Sequence, residues 1–171
     1  MTKKKVENIV GALSLALADD LLQAAQSYAP ASAPAAAIAV VGHMPGMTIN
    51  YLRGALGLSH PGTVRLVDRL VRDDLVQRSR SESDGRAIAL TLTEAGDTMC
   101  QSILSARQNA LARALASLNT TEREMLGRLA ETMLRGILKG EEHAIEVCRL
   151  CDPAICTNCP VESEIVARES R

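Results

Sequence analysis

The sequence predicts a mainly α-helical fold with a helix-turn-helix at its centre and one short β-hairpin after it. Three observations carry this. Apolar residues recur at helical spacing through most of the chain, and only residues 75–92 switch to the alternation of strands around a polar turn. Hydrophobic residues make up 47% of the chain but aromatic ones only 1%, two Tyr with no Phe or Trp. The core must therefore pack through Ala, Leu, Val, Ile and Met, which suits closely spaced helices.

Taken in order, Val6, Ile9, Val10, Leu13, Leu17 and Leu21 mark a helix over 5–28, and Pro30 and Pro34 break the pattern. Ala35 to Val41 reads as a short apolar helix stopped by Gly42, Pro45 and Gly46. Thr48 is the expected N-cap of a helix ending near Leu56, and Gly57 makes a turn. Ser59 caps the next helix, with Pro61 allowed in its first turn, and this helix runs to about Asp73. Val76 to Arg80 and Ala87 to Leu92 read as strands on either side of Ser81–Gly85. Thr93 with Glu94 opens a long helix to about Leu118. Thr121 with Glu124 predicts a capping box for a last helix, marked by Leu126, Leu129, Met133 and Ile137, toward Lys139. Pro153 and Pro160 bend the remaining tail.

The formal charge is −1, but residues 48–93 hold seven Arg against five acids. That local excess favours an anionic partner only weakly. No apolar run approaches the ~20 residues of a membrane span, and Asp19 and Asp20 argue against an export segment, so a cytoplasmic protein without a membrane partner is expected. The sequence holds no Gly-rich phosphate loop, nucleophile elbow or plausible acid–base carboxylate pair, which argues against an enzyme.

The two central helices fit DNA reading. Leu52, Leu56 and Leu58 can face inward, while Thr63, Leu66, Val67 and Leu70 form one apolar stripe of the second helix. The other face carries Pro61, Arg65, Asp68, Arg69 and Arg72, with His60, Gly62 and Val64 at its front edges. Arginines there suit phosphates and guanine edges, and Val64 suits a thymine methyl. A solvated amphipathic helix would explain this face equally well on its own. The hairpin adds Arg78, Arg80 and Arg86, with Asp84 placed to orient Arg86, and a hairpin-tip Arg fits a narrow minor groove. Brace, Arg-faced helix and Arg-tipped wing in that order are hard to obtain by chance.

Residues Leu56 to Leu70, Asp74-Leu75-Val76, Asp84-Gly85-Arg86 and Leu92-Thr93-Glu94-Ala95-Gly96 together resemble the MarR family of bacterial winged helix-turn-helix regulators. The resemblance is specific over about 48–96, and the order of the flanking helices extends it to about 139. It implies a homodimer held by long N- and C-terminal helices, with two winged lobes on a palindromic operator and a repressor's role. It places Ser59, Gly62, Val64, Arg65 and Arg69 where the recognition helix meets DNA, and it matches Asp84 and Arg86 to the family's wing motif. The DNA-contact set expected is thus Ser59, His60, Gly62, Val64, Arg65, Arg69, Arg72, Asp84 and Arg86. The implied division is an N-terminal dimerisation helix and linker (1–34), a DNA-binding region (35–93), dimerisation helices (94–140) and a cysteine-rich tail (141–171).

Cys148, Cys151, Cys156 and Cys159 form C-x2-C-x4-C-x2-C, spacing that can bring two thiolate pairs around one metal. Zinc is the first reading. An iron–sulfur cluster is the second, since the last Cys precedes a Pro, and a disulfide switch is the third. The fifth cysteine, Cys100, sits at an apolar helical position and reads as core. His143, five residues before Cys148, reads first as a surface helix residue and second as a spare ligand, and neither His43 nor His60 has metal-ligand spacing. The tail is expected beside the dimer base, away from DNA, and as the entry point of a metal or redox signal in preference to a small-molecule effector. A metal-binding or electron-transfer protein whose bundle does not read DNA is the rival reading.

Overall fold

The computed structural model describes residues 1–29, 32–80 and 88–170. Its elements run α1 (Lys3–Gln26), α2 (Ser32–His43), β1 (Met47–Thr48), α3 (Ile49–Leu56), α4 (His60–Arg72), β2 (Val76–Arg80), β3 (Ile88–Leu92), α5 (Glu94–Ala114), α6 (Thr120–Ile137), α7 (Glu141–Cys148) and α8 (Pro160–Glu169). The expected mainly helical winged helix-turn-helix is present.

The centre is α2. Ala35, Ala37, Ile38, Ala39 and Val41 are fully enclosed, and α1, α3, α5 and β3 all pack on this helix. A helix apolar on every side can only be an interior one, and its alanines let the neighbours approach closely. Leu52, Val67, Leu70, Leu90 and Ile103 complete the core from α3, α4, β3 and α5.

The sheet is antiparallel, in the order β1-β3-β2. Val76 faces Leu92 and Arg80 faces Ile88, so the connection 81–87 joins two paired antiparallel strands. That connection lies outside the described residues, and Asp84 and Arg86 with it. Strand β1 was not expected; two residues are too few to show a period. It pairs Met47 with Leu90, which encloses β3 between two neighbours.

Two close approaches fix the packing. A Cβ on Gly96, in the first turn of α5, would sit on the Leu75 carbonyl oxygen. One on Gly42 would lie 2.9 Å from the Cys100 Sγ and 3.1 Å from the Leu92 Cδ1.

Three expectations need correction. The capping box of α6 is formed by Asn119 and Glu122, not Thr121 and Glu124: the Asn119 Oδ1 accepts from the Glu122 N–H at 3.0 Å, and the Glu122 carboxylate accepts from the Asn119 N–H at 2.9 Å. The long helix α5 ends at Ala114, four residues early. The tail is not merely bent, since it carries α7 and α8, with Pro160 at the helix start that proline tolerates.

Candidate nucleic-acid interface and cysteine cluster

Helix α4 is positioned by its own sequence. Gly57 ends α3 in the left-handed region (φ 62°), which turns the chain within three residues. Ser59 then caps α4, its Oγ accepting from the Gly62 N–H at 3.3 Å. The Thr63 Oγ1 donates back to the Ser59 carbonyl at 3.1 Å, which satisfies a polar side chain that is wholly buried. Thr63, Leu66, Val67 and Leu70 are the buried face, as the spacing predicts.

The opposite face is open. His60, Pro61, Arg65, Arg69 and Arg72 are exposed, and Gly62 and Val64 are half-buried at its edge. Among the described residues no ion pair engages Arg65, Arg69 or Arg72. Arg78 is different: from β2 its Nη2 donates to the Asp68 Oδ1 of α4 at 2.6 Å. An arginine of β2 thus braces α4. The Ser59 hydroxyl likewise has a structural use in addition to its expected place at the interface.

The start of α3 is built in the same way, with the Thr48 Oγ1 accepting from the Tyr51 N–H at 3.2 Å. On α5, the Thr93 Oγ1 accepts from the Gly96 N–H at 3.0 Å and donates to the Asp74 carbonyl at 2.5 Å. Asp74 itself turns with φ 56°. The Asp74-Leu75 turn and the head of α5 are thereby locked together, which fixes the root of the wing.

The cysteine tail lies against two elements of its own chain. Helix α7 packs on α3, the brace of the helix-turn-helix, and α8 packs on α6. The tail straddles two cores: Ile145 and Leu150 join the main one, while Ala144, Val147, Cys148 and Cys159 join a second one around Leu138 and Val161. Arg168 ties α8 to the end of α6, donating to the Leu138 carbonyl at 2.8 Å and to the Arg135 carbonyl at 3.2 Å. A cavity of about 680 Å³ lies between α2, α3 and the tail, bordered by Val40, His43, Tyr51, Arg149 and Ile165. Tyr51, one of the two tyrosines of the chain, borders it.

All five cysteines are free thiols. Within each pair, Cys148 with Cys151 and Cys156 with Cys159, the two thiols perturb one another. The Cys151 N–H donates to the Cys148 carbonyl at 2.9 Å, which closes the first pair into a turn. Asn158, at φ 55°, turns the second. Cys148 keeps its proton and donates it to Cys151, which pushes the Cys148 thiol upward. The same bond lowers Cys151 to about 6, helped by the Arg107 guanidinium on α5. His43 lies against the backbone of Cys151; burial lowers its pKa, with Asp152 acting in the opposite sense. Among the described residues, no three His, Cys, Asp or Glu side chains already stand as a closed metal-ligand set. Burial pushes the Cys100 thiol up to about 11, in keeping with its place in the core.

His43 and Arg107 were missed as neighbours of the cluster, because contacts across so many residues leave no spacing signal. No helix among the described residues is long and apolar enough to cross a membrane.

The model of the MarR family matches residues 32–87, the stretch from α2 to the wing. The transcriptional repressor MprA of Escherichia coli K12 is 29% identical over 91 residues, 53% of this chain and 52% of that protein. The chain thus spans about half the length of the curated relatives it matches. The crystal structure of RV1404 from Mycobacterium tuberculosis superposes with a TM-score of 0.70 at 18% identity, covering 81% of this chain and 97% of that one. A mutant of MepR from S. aureus, solved bound to an oligodeoxyribonucleotide, superposes with a TM-score of 0.55 at 18% identity over 81% and 99%. The segment 32–87 thus matches the MarR family model, and the chain shares the fold of the solved MarR structures.

Proposed function

We propose that the protein is a homodimeric transcriptional regulator that reads a palindromic double-stranded operator and represses from it. The observation that carries this reading is the face of α4. Its buried stripe leaves Arg65, Arg69 and Arg72 outward and unpaired among the described residues, beside a wing strand braced to the same helix. A helix so presented matches a major-groove reader, with the N-terminal end of α4 toward base edges. Val64, His60 and Gly62 share that end. Asp84 and Arg86 are proposed for the minor groove on their sequence motif alone.

The dimer is supported by apolar side chains that the chain itself leaves uncovered. Ile9 and Leu13 on α1, and Met125, Leu129, Met133 and Ile137 on α6, are all at least 46% exposed. Rows of this kind on two long helices suit a two-fold interface with a second copy. Two lobes then read half-sites about one DNA turn apart.

The protein acts without catalysis, in the cytoplasm, and its signal enters at the four-cysteine tail as metal or redox state. A metal or electron carrier that does not read DNA would leave the α4 face and the wing brace unexplained. Selection of duplexes from a random pool, followed by footprinting, tests the reading. Enrichment of a two-fold symmetric site is expected, and enrichment of nothing above non-specific binding overturns it.

A further inference from the structure

We infer that Cys148, Cys151, Cys156 and Cys159 close on one zinc ion, and that the closed site makes the tail a strut between the brace helix α3 and helix α6. The inference deepens the proposed signal input and rests on that reading only for its consequence at DNA.

The donors are suited to the ion. Four thiols in two C-x2-C pairs supply the soft tetrahedral set that structural zinc takes. Each pair is closed by its own turn, and Cys148 and Cys159, one from each pair, pack on the same small core around Leu138 and Val161. The chain between the pairs is compact. The Asp152 carbonyl accepts from the Ile155 and Cys156 N–H groups, and its side chain accepts from the Ala154 N–H at 3.0 Å. Closing the pairs on one ion therefore acts on a single short loop, 149–158. Zinc binding displaces the thiol protons to solvent and changes no oxidation state.

The strut follows from what the cysteines are attached to. Cys148 ends α7, which lies on α3, and Cys159 caps α8, which lies on α6. Without the ion, the two helices are joined by the segment 149–158 and the small second core. With it, the last residue of α7 and the cap of α8 become ligands of one atom. The angle between α3 and α6 is then fixed by metal–sulfur bonds. Since α3 braces α4, loss of the ion loosens the lobe that carries the Arg face.

The test uses the full chain, purified under reducing conditions. Elemental analysis should find one zinc per chain. Cobalt(II) added to metal-free protein should give the thiolate charge-transfer and ligand-field bands of a tetrahedral sulfur site. The Cys151→Ser/Cys156→Ser double variant should lose the zinc. If that variant does not fold, cobalt titration of the wild-type chain still decides. Iron with acid-labile sulfide and a broad visible band overturns the zinc assignment, zinc retained by the variant overturns the ligand set, and no uptake by the reduced wild type overturns the site. On chelation, hydrogen exchange should accelerate in α3 and in the last turn of α6; unchanged exchange overturns the strut. These readouts involve no DNA. A chain that binds zinc but selects no duplex sinks the regulator reading alone, and the reverse result sinks the site alone.

Discussion

Arg78 and Asp68 tie the wing to the recognition helix: the guanidinium Nη2 of β2 donates to the carboxylate of α4 at 2.6 Å. The pair is half-exposed, so it adds little to stability, but it joins the two elements proposed to meet DNA in one orientation. A double-mutant cycle with Arg78→Ala and Asp68→Ala should give a coupling of about 0.2–1 kcal/mol in thermal unfolding. Either single variant should weaken duplex binding, since each frees the wing. No coupling in either assay would show the contact to be incidental.

The α4 face predicts a separation of stability from affinity. Arg65→Ala and Arg69→Ala should each cost about 1–3 kcal/mol in operator binding. Both residues are exposed, so melting should stay within about 0.5 kcal/mol of wild type. Gel-shift and calorimetric measurements on the same preparations check both parts. Unchanged operator affinity in both variants sinks the readout.

Gly96 predicts the reverse. Its added Cβ would collide with the backbone carbonyl of Leu75, which Thr93 and the head of α5 hold in place. Gly96→Ala should destabilise the fold by about 3 kcal/mol. Gly54 on α3 has open space around it, and Gly54→Ala should stabilise by about 0.5–1 kcal/mol. Denaturant melts of the pair distinguish a packing constraint from a general intolerance of substitution.

The apolar rows predict the oligomer. Sedimentation at micromolar concentration should give twice the 18.2 kDa of the chain. Leu129→Glu with Met133→Glu should shift it to monomer and abolish tight binding to a two-fold site. Wild-type protein that sediments as a monomer removes the dimer and with it the palindrome.

Cys100 predicts a pH window. Its folded pKa is raised from 9.0 to about 11, mainly by burial, so the folded state holds the proton more tightly than the unfolded one. The resulting stabilisation is complete below about pH 9 and is lost as pH rises through about 11. The stability difference between wild type and Cys100→Ala should therefore shrink over that interval. A difference that stays flat from pH 8 to 11 is inconsistent with a buried protonated thiol.

The sequence was most legible where one periodicity ruled a whole element. The stripe Thr63, Leu66, Val67 and Leu70, the Ser59 cap and the Gly57 turn are all as their spacing and residue types require. It was least legible where two local choices competed. Asn119 with Glu122 and Thr121 with Glu124 offer the same capping pattern two residues apart, and only the first makes both hydrogen bonds. Prolines at 153 and 160 suggest an irregular tail, yet Pro160 starts α8. For the cysteines, spacing gathered the two pairs. It gave no hint of Arg107, His43 or the seat on α3, because those neighbours arrive through tertiary folding.

Helix α6 buries none of its residues against its own chain and is tethered at one end by Arg168 and the small second core. Eighteen residues packed over one end alone are barely stable as a helix in water. In a lone copy this segment is therefore the part most open to proteases, whereas a paired copy conceals it. Turnover then depends on concentration: scarce chains are degraded quickly and abundant ones persist. On the proposed dimer, the cellular level of the protein would have a lower threshold set by one largely uncovered helix, apart from any signal it receives.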